Sequence, residues 1–161
     1  MADETLEETL SILKEIPGGP QVIEWFDGWP EFGDAEVLDL RLVRKGPCLL
    51  RLAADTAEAG RYKGPPYKHA VFDFILRDMI DVYLDGFGHQ NVIGGLTLRH
   101  TKDQAVHPSL VGIGLVRGEV ELELEPCAGA HGIIRCTIKK ITITPVENCQ
   151  EADEIGAARL A

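Results

Sequence analysis

The residues best placed to do chemistry sit close together: Asp78, Asp81 and Asp85, followed by the loop Gly86-Phe87-Gly88-His89-Gln90-Asn91. An imidazole with a carboxylate four positions before it is a recognisable acid–base arrangement, because Asp85 could fix the orientation of the His89 ring. The three aspartates also invite a divalent-cation reading. On an extended strand, however, Asp81 and Asp85 share a face about 13 Å apart at roughly 3.3 Å per residue, too far for one ion to bridge. The competing reading is structural. His89 and Asn91 hydrogen-bond the backbone of the loop, and the aspartates form a solvated strand face. Asp85, His89, Gln90 and Asn91 are candidates for contact with a partner on either account.

Other catalytic patterns find little support. His69, His89, His100, His107 and His131 show none of the short spacings of a zinc site. Serine occurs only at Ser11 and Ser109, neither in a nucleophile elbow. Gly112-Ile113-Gly114 lacks the remaining glycine and the following helix of a dinucleotide-binding turn. The expectation is a protein without catalytic residues, bound metal or cofactor. Cys48, Cys127, Cys136 and Cys149 have no CxxC pairing. Cys48 and Cys136 fall in apolar strands and should behave as small buried hydrophobes. A bridge from Cys127 to Cys136 across a hairpin is conceivable, but is disfavoured in a reducing compartment.

Charge narrows the partners. The 161 residues carry 26 acids against 16 Lys and Arg, a formal net charge of −10. Such a field repels phosphate backbones and anionic membranes, so nucleic acid and membrane are not expected as partners. A basic protein is compatible with it, and so is acidity that serves only solubility. No apolar run approaches the length of a membrane span, and MADETLEETL lacks the basic start and apolar core of a secretory signal. The expected location is therefore cytoplasmic.

These groups must be positioned by a mostly β chain. Leu6, Leu10, Leu13 and Ile16 fall at helical spacing, predicting a helix over 3–16 with Asp3 or Thr5 as its cap, stopped by Pro17-Gly18-Gly19-Pro20. Gln21 to Phe26 predicts one or two further helical turns. Trp25, Phe26, Trp29 and Phe32 suggest an aromatic plug under a sheet. From residue 35 the period becomes two. Leu38, Leu40 and Leu42 predict one strand, and Cys48 to Leu52 its hairpin partner across Arg44-Lys45-Gly46-Pro47. Residues 53–66 read as a surface loop. Phe72, Phe74 and Leu76, then Ile80, Val82 and Leu84, predict two strands separated by Arg77-Asp78. Asn91 to Arg99 gives another, with Gly94-Gly95 as a bulge or kink, and Val111 to Leu115 gives a weak one.

The clearest alternation follows. Val120, Leu122 and Leu124 point inward, while Glu119, Glu121, Glu123 and Glu125 form an acidic row. Ile134, Cys136 and Ile138 alternate with Arg135, Thr137 and Lys139, so pairing of the two strands would set Arg135 and Lys139 against the glutamates. A change of phase at Lys139-Lys140 predicts a bulge. Consecutive strands joined by short turns make the expected fold α+β and mostly β: an antiparallel sheet or two-layer β-sandwich with an N-terminal helix packed on it. Residues 1–146 are expected to form one domain and 147–161 a polar tail.

Trp29-Pro30-Glu31-Phe32-Gly33-Asp34-Ala35-Glu36-Val37, the Arg44-Lys45-Gly46-Pro47 turn, Leu50-Arg51-Leu52, and the strand closing in Asp85-Gly86-Phe87 and Asn91-Val92-Ile93 together resemble the immunity protein 50 family of bacterial polymorphic-toxin systems. The resemblance covers roughly residues 25–100, with the 136–146 strand as weaker support. It implies a protein that neutralises a cognate toxin by binding it and brings no catalytic residues. A basic toxin domain would meet an acidic face, for which Glu119, Glu121 and Glu123 or the 85–91 loop are the candidates. The alternatives are a small-ligand binder or enzyme with its site near His89, and an accessory domain that assembles with further copies through an open sheet edge.

Overall fold

The computed structural model describes residues 2–28, 30, 32–55, 68–101 and 120–146. Two helices, α1 (Ala2–Glu15) and α2 (Gly19–Phe26), precede six strands: β1 (Glu36–Arg41), β2 (Cys48–Asp55), β3 (His69–Asp85), β4 (Val92–His100), β5 (Val120–Ala128) and β6 (His131–Val146). The strands are antiparallel and close into a barrel in the order β1-β2-β3-β6-β5-β4. The fold is therefore mostly β with helices near the N-terminus, as the alternation predicts. One sheet curled on itself replaces the two-layer sandwich alternative.

The barrel is filled from the faces that period two selects: Leu50 and Leu52, Phe72, Phe74 and Leu76, Leu122 and Leu124, and Ile134, Cys136 and Ile138 are all buried. Trp25, Phe26 and Phe32 pack on Phe72, with Phe32 also against Phe74, at ring-centroid separations of 5.0–5.8 Å. This is the expected aromatic plug, although Trp29 lies outside the described residues. Cys48 and Cys136 are free and buried whereas Cys127 is exposed, so no bridge links Cys127 to Cys136.

Bulges account for most departures from the expected pattern. In β1, Leu38 has no partner between the pairs Val37–Leu52 and Asp39–Arg51. The bulge shifts the phase, so Val37 is buried, Leu40 packs against the core and Leu42 is exposed. The expected Leu38-Leu40-Leu42 stripe is thus broken. β2 runs on through Asp55, taking the first three residues of the expected loop into the sheet; 56–66 lie outside the described residues, as do 111–115. The two strands expected either side of Arg77-Asp78 are one bent strand. Between the pairs Arg77–Thr137 and Asp81–Arg135, β3 advances four residues while β6 advances two. Asp78 absorbs the excess with φ +49°, a left-handed conformation that aspartate tolerates better than most residues. The expected bulges at Gly94 and at Lys139 are both present.

The barrel's seam is closed unequally. β1 and β4 meet at Glu36–Val92, where Val37 N donates to Asn91 O (2.8 Å) and Ile93 N to Ala35 O (2.9 Å). Further along β4, helix α1 takes the place of a strand. The Thr9 hydroxyl donates to Leu98 O and accepts from Leu98 N, both at 3.1 Å, and Glu8 Oε1 accepts from His100 N at 2.8 Å. Side chains thereby satisfy backbone groups that a bare edge would leave open. The buried face of α1 is Thr9, Ile12 and Leu13, continued by Ile16 just past its end, with Leu6 and Leu10 only half-buried, a rotation from the expected leucine stripe. The helix also starts one residue before the expected position, so Thr5 lies within it rather than capping it.

Candidate functional site

Past the bulge, β3 presents Asp81, Tyr83 and Asp85 on the outside of the barrel while Val82 and Leu84 pack against the core. Register places Asp81 beside Arg135 and Arg135 beside Glu121, and it places Tyr83 beside Ile133 and Ile133 beside Glu123. Glu121 and Glu123 in turn face Arg99 and Thr97 of β4. The sheet thus brings four strands' outward residues into one charged face.

Its charges are locked together. Arg135 Nη1 donates to both carboxylate oxygens of Asp81 at 2.8 Å, and Arg135 Nε donates to Glu121 Oε1 at 3.0 Å. Arg99 Nη2 bonds Glu123 Oε2 and lies 3.4 Å from Glu121 Oε2. Thr97 Oγ1 donates to Glu125 Oε1 at 3.0 Å. The Arg135 pKa is raised above its ordinary value, first by the hydrogen bonds to Asp81 and further by Glu121, against the opposing effect of burial. Arg135 opposes the glutamate row as the alternation predicts, whereas Lys139 lies beyond the described β5–β6 pairs. Glu119 lies outside the described residues. Glu121 is enclosed between two guanidiniums, so the row is partly neutralised from within. Asp81, Asp85, Glu121, Glu123 and Glu125 still outnumber Arg99 and Arg135, and the face remains acidic. Tyr83 stands in it at 68% exposure.

The 86–91 loop borders this face, since Asp85 pairs with His131 at the start of β6. Asn91 holds it: Gly88 N donates to Asn91 Oδ1 and Asn91 Nδ2 donates to Gly88 O, both at 2.9 Å. Asp85 Oδ1 accepts from Gly86 N at 2.8 Å, so that oxygen serves the turn. Gly86 has φ +76°, and a Cβ there would lie 2.3 Å from Gly129 O, which presses the loop onto the β5–β6 turn. His89 and Gln90 are exposed, and Phe87 at the loop's tip is 48% exposed. The loop is thus a braced, pre-shaped projection. Of the loop contacts expected from the sequence, Asn91 bonds the backbone at Gly88, whereas Asp85 serves the Gly86 amide rather than the His89 ring, and His89 makes no hydrogen bond to a described residue. In the sequence, Asp81 is weighed only as a metal or acid–base carboxylate and Tyr83, Phe87 and Arg99 are passed over, though the period-two phase that puts Asp81 and Asp85 outward also puts Tyr83 there.

Two cavities lie off the charged face, one of them reaching the loop. One of about 780 Å³ sits between the β1–β2 turn and the β3 bulge, and a smaller one of about 360 Å³ runs from Val37–Leu40 to Phe87 and Asn91. His89 lines neither. Among the described residues there is no group of three His, Cys, Asp or Glu side chains fit to hold a metal ion, and no helix long and apolar enough to cross a membrane. Comparison of the chain with protein-family models, with curated proteins and with solved structures found no match.

One interior group has a measurable consequence. Burial first, and the neighbouring Cys48 second, push the Cys136 thiol from 9.0 up to about 12. The folded thiol keeps its proton where the unfolded one loses it. Unfolding therefore releases a proton in that window, and stability falls as pH rises from about 9 toward about 12. Urea unfolding at about pH 8 and about pH 10 should show the wild type losing about 1 kcal/mol more than Cys136→Ala between the two. Equal losses would count against a buried, protonated thiol.

Proposed function

We propose that this protein is a binding protein that neutralises a cognate toxin by direct contact, through the outer face of β3, β6, β5 and β4 and the adjoining 86–91 loop. The observation that carries this reading is the placing of two exposed aromatic side chains, Tyr83 and Phe87, within and beside a surplus of hydrogen-bonded carboxylates. Aromatic anchors lose little conformational entropy on binding and dominate many interfaces. Carboxylates held by Arg99 and Arg135 are already ordered, so less freedom is lost when a partner arrives. The acidic excess steers a basic partner, and the resemblance to toxin-neutralising proteins supplies the partner's class. Asp85 and Asn91 then act by shaping the loop, with His89 and Gln90 at its surface.

The test is to identify what the neighbouring reading frame encodes and, where that is a toxin module, to co-express it with this protein and measure binding kinetics on the purified pair. A neighbour that is not a toxin counts against the reading. The wild type should restore growth and bind. Tyr83→Ala should speed dissociation, with a loss of about 2 kcal/mol or roughly thirtyfold in affinity. Glu123→Lys should instead slow association and flatten its dependence on salt. A neighbouring toxin that is neither bound nor neutralised would remove the reading. Full neutralisation by a Tyr83→Ala, Glu123→Lys double variant with unchanged kinetics would move the contact to another face.

A further inference from the structure

The 780 Å³ cavity has a floor and a rim of different chemistry. Met79 and Val82 of β3 form part of its floor and pack against the core, and Cys48 at the start of β2 continues it. Leu42 and Val43 wall it from the β1–β2 turn, at 54% and 49% exposure. That wall is fixed to the floor through Cys48, whose Sγ accepts from Val43 N at 3.3 Å and donates to Val43 O at 3.5 Å. The opening follows from the β3 bulge: Leu76 is the last β3 residue to pair with β2, and the two extra residues after Arg77 carry the strand past the hairpin tip.

The rim carries Arg44, Arg77 and Asp78. Both arginines are exposed, and neither forms an ion pair with any described residue. Arg41, Arg51, Arg99 and Arg135, by contrast, are each engaged with a carboxylate. A chain with ten more negative than positive charges leaves these two guanidiniums without a carboxylate partner among the described residues, at the mouth of a cavity of about 780 Å³. Size, apolar floor and a few convergent polar groups are the usual features of a small-molecule site, and barrel mouths are a common place for one.

We infer that the cavity between the β1–β2 turn and the β3 bulge binds an amphipathic monoanion, its apolar body on Met79, Val82, Leu42 and Val43 and its carboxylate on Arg44 and Arg77. A planar guanidinium donates two parallel hydrogen bonds to a carboxylate, which distinguishes this head group from an alcohol or an amine. Asp78 leaves the rim one positive charge in excess, which matches a single anionic head and disfavours a dianion. This inference is independent of the toxin-binding reading, since it uses none of the same residues.

Two probes of equal chain length and opposite charge test it: decanoate and decyltrimethylammonium, titrated into the full chain below their micelle concentrations. Binding is followed by calorimetry and by the Met79 methyl resonance. The net charge alone would favour the cation. The site predicts instead saturable decanoate binding with a shifted Met79 signal and at least tenfold preference over the cation. In Arg44→Glu, Arg77→Glu, a variant of two exposed residues with no ion pair among the described residues, the preference should reverse while the melting temperature holds. Failure of decanoate to saturate below about 1 mM would overturn the inference. So would a wild type that prefers the cation, or a preference unchanged by the charge reversal.

Discussion

Asp73→Ala should destabilise the protein by about 3–5 kcal/mol, the largest loss expected of any single polar truncation in the described residues. Arg51 is 1% exposed although it lies on the outside of β2, and its Nε and Nη2 donate to the two Asp73 oxygens at 2.6 and 2.8 Å. Its Nη1 already has no partner among the described residues. The Asp73 hydrogen bonds are the main cause of the raised Arg51 pKa, with Coulomb attraction to Asp73 and Asp39 adding to them against the cost of burial. Removing Asp73 leaves a guanidinium that can neither shed its proton nor reach water. Chemical denaturation should register the loss as a lower midpoint. The double replacement Arg51→Met, Asp73→Leu should regain most of it, because apolar groups of similar volume have no charge to strand. A single variant within about 0.5 kcal/mol of wild type would mean that the pair is solvated.

Gly18→Ala should be nearly as damaging, at about 2–5 kcal/mol, for a steric reason. Gly18 has φ +87°, which costs a residue with a Cβ roughly 1–2 kcal/mol. Its Cβ would also fall 1.8 Å from Ile141 O, a backbone atom that cannot swing aside. The turn would lift off β6 and lose the bond from Ile141 N to Pro17 O, now 2.9 Å. Gly88→Ala is the control, since a Cβ there meets nothing within 4 Å and its φ is not left-handed. Thermal unfolding should therefore separate the two variants clearly. Equal melting temperatures would show that the helical turn is not seated on the strand.

How far residues reveal their own placement differs along the chain. Val120-Glu-Leu-Glu-Leu-Glu was readable because each outward residue is charged and each inward one apolar, so one register alone buries the core. The phase change at Lys139-Lys140 was readable for the same reason. β1 misled because a bulge at Leu38 is invisible among leucines: every register of Leu38, Leu40 and Leu42 looks apolar. Thr9 was missed because its task, capping both backbone groups of Leu98, depends on a strand 89 residues away. The charged face was half legible. Arg135 against Glu121 follows from neighbouring strands, but Asp81 joins them only because β3 lies on the other side of β6, a pairing across more than fifty positions. The cavity was not legible at all, since Arg44 and Met79 come to line it only through the bulge after Arg77, where the alternation reads as a break between two strands.

Thr9's tie to Leu98 bears on how the molecule acquires its shape. The β2–β3 ladder and the β5–β6 hairpin can zip from contacts close in sequence, but the stave beside β4 comes from 89 residues earlier in the chain. Ring closure over so long a span has to be met with lost chain entropy before it returns any contact. Assembly should therefore end, rather than begin, with the first helix coming home.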